Sequence, residues 1–132
     1  MTDTAQIPES HRDLTDRNVC ILSTLGKDGY PQSTAIWFML DDDGVIRTSL
    51  MNSRQKYKNL LEHSKATIFV IDSTNPYRTL EVRCDVVLGA DPDLAMMKRI
   101  VEYYGQDFDT FPAPREGRVK VEFIPHHVVA SG

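Results

Sequence analysis

The sequence predicts a mainly β protein: a small closed or partly closed antiparallel barrel with helices around it. Three observations lead there. Six segments carry strand signals, and several alternate apolar and polar residues with a period of two. Three junctions between them are short and hairpin-like, which points to antiparallel pairing. The helical segments do not alternate regularly with the strands, which disfavours a doubly wound α/β sheet.

The elements follow in the order α-β-β-β-α-β-β-α-β. Residues 1–9 read as a disordered lead-in to one domain over residues 10–132. Ser10 to Arg17 is a short first helix. Two strands, Asn18–Thr24 and Pro31–Leu40, are joined by Gly26-Lys27-Asp28-Gly29, whose Asp-Gly pair supplies hairpin chemistry. Asp41-Asp42-Asp43-Gly44 turns the chain into a third strand, Val45–Ser49. A helix over residues 53–63 follows, with Tyr57, Leu60 and Leu61 on a shared face. Lys65–Ile71 is a continuous, largely β-branched run and so a buried strand. After the loop Asp72-Ser73-Thr74-Asn75-Pro76, the apolar residues Leu80, Val82, Cys84, Val86 and Leu88 alternate with Glu81, Arg83 and Asp85 in a long half-buried strand. Asp91-Pro92-Asp93 opens a second long helix, with proline at its first position, and Gly105 stops it after Tyr104. Residues 106–117 form a loop, and Val119, Val121 and Phe123 mark a last strand that Pro125 ends.

Composition bounds the function. At 132 residues the chain holds one core and not two. A formal charge of −4 argues against a general nucleic-acid binder, which would be basic. Cys20 and Cys84 both sit in apolar strand-like runs and read as buried free thiols rather than a disulfide. No apolar run approaches the roughly 20 residues that cross a bilayer. The start, Met1-Thr2-Asp3-Thr4-Ala5-Gln6, lacks the charged-then-apolar order of a signal peptide, so a cytoplasmic location is the expectation.

The most telling junction joins Val45-Ile46-Arg47-Thr48-Ser49 to Ser53-Arg54-Gln55-Lys56-Tyr57-Lys58-Asn59-Leu60. Ser53 is the expected N-cap. Arg54 and Lys56 stand in the first turn, where the positive end of the helix dipole favours acids. Two cations there are a cost in an empty site and a fit for an anion, most simply a phosphate. The alternative is a solvated basic face. Elsewhere, chemistry-bearing patterns are few. His126 and His127 are adjacent in a strand and point to opposite faces, and His11 and His63 lack a Cys or acid at ligand spacing, so no metal site is expected. No glycine-rich phosphate loop and no Gly-x-Ser-x-Gly elbow occurs. Trp37 shares a strand with Gln32, Ser33 and Thr34, an aromatic wall beside small polar groups, which is either core or the mixture a flat heteroaromatic ring requires.

Three segments together resemble a known family. Asp28-Gly29-Tyr30-Pro31-Gln32-Ser33-Thr34-Ala35-Ile36-Trp37 is similar to its Asp-Gly-x-Pro-Gln-x-Thr-Pro-x-Trp pattern. Arg54-Gln55-Lys56-Tyr57-Lys58-Asn59-Leu60 resembles Arg-x-Lys-x-x-Asn-Leu, and Asn75-Pro76-Tyr77-Arg78-Thr79-Leu80-Glu81-Val82-Arg83 resembles Asn-Pro-Tyr-Arg-x-Leu-Glu-Val-Arg. The family is the pyridoxamine 5′-phosphate oxidase-like group, in its deazaflavin (coenzyme F420)-dependent branch. Ala35 replaces a frequent proline, and Cys84 replaces a frequent glycine and makes its strand bulkier.

The resemblance implies a six-stranded antiparallel split β-barrel of the FMN-binding type, an obligate homodimer, and two cofactor sites at the subunit interface. Arg54 and Lys56 would hold the cofactor phosphate, and Asn59 would support that loop or bond the cofactor chain. Gln32, Thr34 and Trp37 would lie along the ring system, with Thr48 and Ser49 presenting backbone groups to it. Tyr77 and Arg78 would come from the partner subunit, and Tyr77 is the candidate proton donor, with solvent as the alternative. The implied activity is an F420H2-dependent oxidoreductase that delivers a hydride to an electron-poor small molecule such as an enone or quinone-like compound. FMN would suit the same basic helix end, Lys58 is a candidate for the acidic tail that distinguishes F420, and a carrier without turnover is the remaining alternative.

Overall fold

The computed structural model describes residues 5–132. A 3-10 helix, Glu9–Thr15, precedes seven strands and two α-helices. The strands are β1 (Val19–Leu25), β2 (Pro31–Trp37), β3 (Met39–Leu40), β4 (Ile46–Met51), β5 (Lys65–Asp72), β6 (Asn75–Ala90) and β7 (Arg118–Ser131). The helices are α1 (Gln55–Glu62) and α2 (Ala95–Tyr103). Of the expected lead-in, residues 1–4 lie outside the described residues; Ala5 donates its N–H to Pro125 O at 3.1 Å, and Ile7 is buried in the core.

All seven strands form one antiparallel sheet in the order β2-β1-β5-β6-β7-β4-β3. Its two edge strands, β2 and β3, are separated in sequence only by Phe38. A flat sheet of this width would set its edges roughly 29 Å apart, whereas two residues of extended chain span about 7 Å. The sheet must therefore curl until its edges meet at Phe38, which is the split barrel. The expected single strand Pro31–Leu40 is thus two strands. The break has a physical cause: Phe38 N–H donates to Tyr104 Oη at 2.9 Å, and Thr48 Oγ1 donates to Trp37 O at 2.6 Å, so these backbone groups leave the sheet ladder without going unpaired.

Alternation sets the interior. Cys20, Leu22, Ile36, Phe38, Ile46, Leu50, Ile68, Val70, Leu80, Val82, Val121 and Phe123 fill the barrel, with Leu60 from α1 and Leu14 from the 3-10 helix. Both cysteines are free and buried. Two boundaries and one helix face differ from expectation. β7 runs past Pro125, because the proline sits opposite Cys84 at a bulge where the ladder needs no N–H from it. Leu61 is 61% exposed, since α1 turns Leu60 and Asn59 inward instead. α2 starts at Ala95 and not at Pro92; the Asp91 carboxylate accepts the N–H groups of Met96 and Met97, each at 3.0 Å, and caps the helix across an intervening turn. No helix among the described residues is long and apolar enough to cross a membrane.

Candidate functional site

The curl leaves one seam incomplete. β3 pairs with β4 only at Ile46 and Arg47, so no strand covers the outer edge of β4 from Thr48 to Met51. A cavity of about 330 Å³ opens there. One side is β2 and β4, through Ile36, Trp37, Thr48, Ser49 and Leu50. The other is apolar, built by Met97, Ile100 and Val101 of α2 and by Phe111, Ala113 and Pro114 of the following loop. Arg54, Lys56 and Arg118 also line it. A second hollow of about 220 Å³ adjoins through the shared Arg54 and Lys56, and is completed by Thr24, Gln32, Thr34 and Gln55. Together they form a groove with an aromatic chamber at one end and a polar, cationic one at the other.

Local sequence explains the cationic end. α1 starts one residue later than a Ser53 cap would place it: Arg54 is the N-cap, in extended backbone, and neither its own side chain nor that of Ser53 caps the turn. No acid stands in the first turn. Lys56 Nζ lies 3.4 Å from Thr34 Oγ1, and burial together with the neighbouring Arg54 charge lowers its pKa. Among the described residues neither Arg54, Lys56 nor Arg118 forms an ion pair, and no acid lines either hollow. In a chain of net charge −4, an acid-free groove with three cations is built for an anion.

The remaining expected residues fall into four groups. Gln32 and Thr34, expected along the ring system with Trp37, instead line the cationic hollow with Arg54 and Lys56. Asn59 is buried beneath it rather than facing it. Its Nδ2 donates to Thr24 Oγ1 at 3.0 Å and to Gln32 Oε1 at 2.9 Å, and its Oδ1 accepts from Gln55 Nε2 at 3.0 Å. Asn59 therefore fixes the two glutamines that border the hollow. Trp37 forms the aromatic wall and is itself held: it stacks on Tyr104 with centroids 4.4 Å apart and rings 2° from parallel, with Phe111 tilted against it at 5.7 Å. Thr48 is buried and spends its hydroxyl on Trp37 O. Ser49 Oγ is the one buried side-chain polar atom without a hydrogen-bond partner among the described residues, and Ser49 lines the large cavity. A polar ligand in that cavity would relieve it.

Tyr77 and Arg78 line neither hollow of their own chain. Tyr77 is 83% exposed. Arg78 is paired with Asp13 and with Asp72, the latter at 2.9 Å, and donates to Ser10 O at 2.6 Å. The Thr74 N–H and hydroxyl, and after them Arg78, hold the Asp72 carboxyl down at about 2. Glu81, three residues on, pairs with Arg83 and not with Arg78. The sequence reading missed Arg118, Tyr104 and the α2 wall. Met96, Met97, Ile100 and Val101 show ordinary core spacing, and nothing local marks Arg118; only the register of β7 beside β4 brings it opposite Met51.

Comparison with known proteins agrees with this geometry. The family model described as pyridoxamine 5′-phosphate oxidase matches residues 7–130. A solved F420 reductase is 34% identical, with a TM-score of 0.83 over 93% of this chain and 98% of that one. The conserved hypothetical protein Rv2991 from Mycobacterium tuberculosis shares the fold at 19% identity, with a TM-score of 0.75 over 99% and 88% of the two chains. HutZ, a heme storage protein from Vibrio cholerae, shares it at 13% identity, with a TM-score of 0.69 over 97% and 96%. No curated protein matches. With a β-barrel split at β4, a basic groove in the split and a family match over nearly its whole length, this chain belongs to the pyridoxamine 5′-phosphate oxidase family.

Proposed function

We propose that this protein is an oxidoreductase that binds coenzyme F420 in the groove between β2, β4 and α1 and reduces an electron-poor small molecule such as an enone or quinone. The observation that carries the reading is the acid-free cation set at the start of α1, next to an aromatic chamber with an unpartnered hydroxyl. The 34% identity to an F420 reductase supports the choice of cofactor. Reduced deazaflavin bound there would supply a hydride.

The chain's own residues have positioning tasks. Arg54 and Lys56 bind the phosphate through charge-assisted hydrogen bonds. Gln32 and Thr34 border the chain that links phosphate to ring, with Gln32 fixed by Asn59. Trp37, backed by Tyr104, and the uncovered edge of β4 at Thr48 and Ser49 orient the ring. Met97, Ile100 and Phe111 form the far wall of the chamber in front of its face and keep water out of it. A homodimer would bring Tyr77 and Arg78 of the partner subunit to the groove. There Tyr77, whose N–H donates to Asn75 Oδ1 while its hydroxyl makes no hydrogen bond among the described residues, is the candidate proton donor, with solvent as the alternative. Arg78 would act there mainly by holding its loop, since its hydrogen bonds are made within its own chain. FMN is the second reading, supported by the family match.

Fluorescence titration with F420 and FMN side by side tests both. Lys56→Ala removes a charge-assisted bond worth roughly 1.5–3 kcal/mol, so affinity for the bound cofactor should drop about ten- to a hundredfold. The empty variant should melt no lower than wild type, because a cation at a helix N-terminus is a cost without its anion. Equal affinity of wild type and variant would remove the phosphate assignment.

A further inference from the structure

The larger cavity contains a cation that a single phosphate leaves unused. Arg54 and Lys56 line both hollows, whereas Arg118 lines only the larger one, the chamber walled by Trp37, Phe111 and α2. Arg118 is fixed rather than loose. Its Nε donates to Pro114 O at 2.8 Å, which sets the plane of the guanidinium, and its two terminal nitrogens make no hydrogen bond among the described residues. The preceding residue, Gly117, has φ +70°, accepts the Asn52 N–H at 2.8 Å, and leaves no room for a Cβ against the Asn52 side chain, so the approach to Arg118 is locked to the end of β4. Arg115, its cationic neighbour, is already occupied with Phe108, through a hydrogen bond to the carbonyl and a guanidinium placed 4.1 Å from the ring centroid. Burial and the charges of Arg115 and Arg54 lower the Arg118 pKa, with Asp91 opposing them. Its positive charge is thus partly desolvated, beside two other cations, in a cavity that no acid lines.

We propose that Arg118 recognises an anionic oxygen group on the acceptor, and hence that the acceptor is a planar, largely apolar molecule carrying one negative charge. This rests on the cavity being the reaction chamber proposed above. The apolar wall of Met97, Ile100, Val101 and Phe111 takes the flat body of such a molecule, and the free fork of Arg118 takes a carboxylate or enolate at its edge. The phosphate is assigned to Arg54 and Lys56, which line both hollows, and not to Arg118, which lines only the larger.

A matched pair of naphthoquinones tests the assignment. Lawsone (2-hydroxy-1,4-naphthoquinone) is an enolate anion at neutral pH, and menadione replaces that hydroxyl with a methyl group at nearly the same size. Binding of each is read from quenching of Trp37, the single tryptophan, which lines the cavity. Wild type should bind lawsone about tenfold more tightly than menadione. Arg118→Gln, which keeps an amide donor for Pro114 O, should lose that preference while menadione binding changes less than about twofold; Arg118→Lys should restore part of it. Equal binding of the two quinones by wild type, or an undiminished preference in Arg118→Gln, would overturn the proposal. F420 and FMN titrations of the same variants should be unchanged; a loss there as large as that of Lys56→Ala would assign the anion to the cofactor and overturn the acceptor role. Failure of wild type to bind either cofactor would sink the proposed function, and the acceptor role with it, in a titration separate from the quinone preference.

Discussion

Asn59→Ala should be among the most damaging single substitutions near the groove, and its cost can be worked from the contacts. Asn59 is 3% exposed and Thr24, its partner, 2% exposed. Three side-chain hydrogen bonds are lost, to Thr24, Gln32 and Gln55. Gln32 and Gln55 are exposed and recover hydrogen bonds from water, so their losses are small. The Thr24 hydroxyl cannot, and a net bond of about 1 kcal/mol is lost while a buried hydroxyl is left unsatisfied at about 1–3 kcal/mol. The expected destabilisation is therefore about 2–4 kcal/mol, or a melting temperature lower by roughly 6–20 °C in a domain of this size. Urea unfolding of Asn59→Ala, Thr24→Val and the double variant measures it. Thr24→Val removes the orphaned hydroxyl, so the double variant should be less destabilised than the sum of the singles by at least about 1 kcal/mol. Additive costs, or an Asn59→Ala cost below about 0.5 kcal/mol, would refute the buried network and return Asn59 to a direct role at the cofactor.

Other outcomes follow from single contacts. Tyr104→Phe should cost about 1–3 kcal/mol in chemical denaturation, because the hydroxyl accepts from Phe38 N–H and donates to Asn18 O or Phe38 O, at 2.6 and 2.7 Å. It should leave Trp37 emission unchanged, whereas Tyr104→Leu should shift it; an equally stable Tyr104→Phe would mean the crossover at Phe38 holds without it. Burial pushes both the Cys20 and Cys84 thiols up to about 12, so neither should react with a disulfide reagent at pH 8 until the protein unfolds, and rapid labelling of the folded chain would contradict their placement. The outward sheet face exposes Val19, Ile21, Ile71 and Val129 at 37–48%. A dimer covering it should bury more than about 2,000 Å², and sedimentation as a 15 kDa monomer at micromolar concentration would exclude the two-subunit site.

Much of this architecture was legible because its signals are local. Asp28-Gly29 carries a turn in its own chemistry, with Gly29 at φ +86° and Asp28 Oδ1 accepting the Tyr30 N–H at 3.0 Å. The period-two runs of β6 and β7 state which side chains face inward before any partner is known. Arg54 and Lys56 could be singled out because a helix start favours acids over bases, whatever the surrounding fold. Errors arose where a local rule met a tertiary competitor. Pro125 ends a strand by propensity, but a bulge accommodates it. Asp91 and Pro92 signal an immediate helix, but the carboxylate caps from a turn away.

By itself, the sequence determined an antiparallel β protein with a cationic helix start and an aromatic strand beside it. Those properties depend on neighbours a few residues apart, where turn geometry, side-chain alternation and helix-end charge act. Only the tertiary structure decided how the sheet closes, since curling joins edges that are adjacent at Phe38 yet lie at opposite ends of the strand order. It also decided that Arg78 meets Asp13 from 65 residues away, that Asn59 turns inward to Thr24, and that Arg118 arrives beside Met51 to share a cavity with Arg54. Such meetings follow from register and curvature across several strands, which no spacing along the chain encodes.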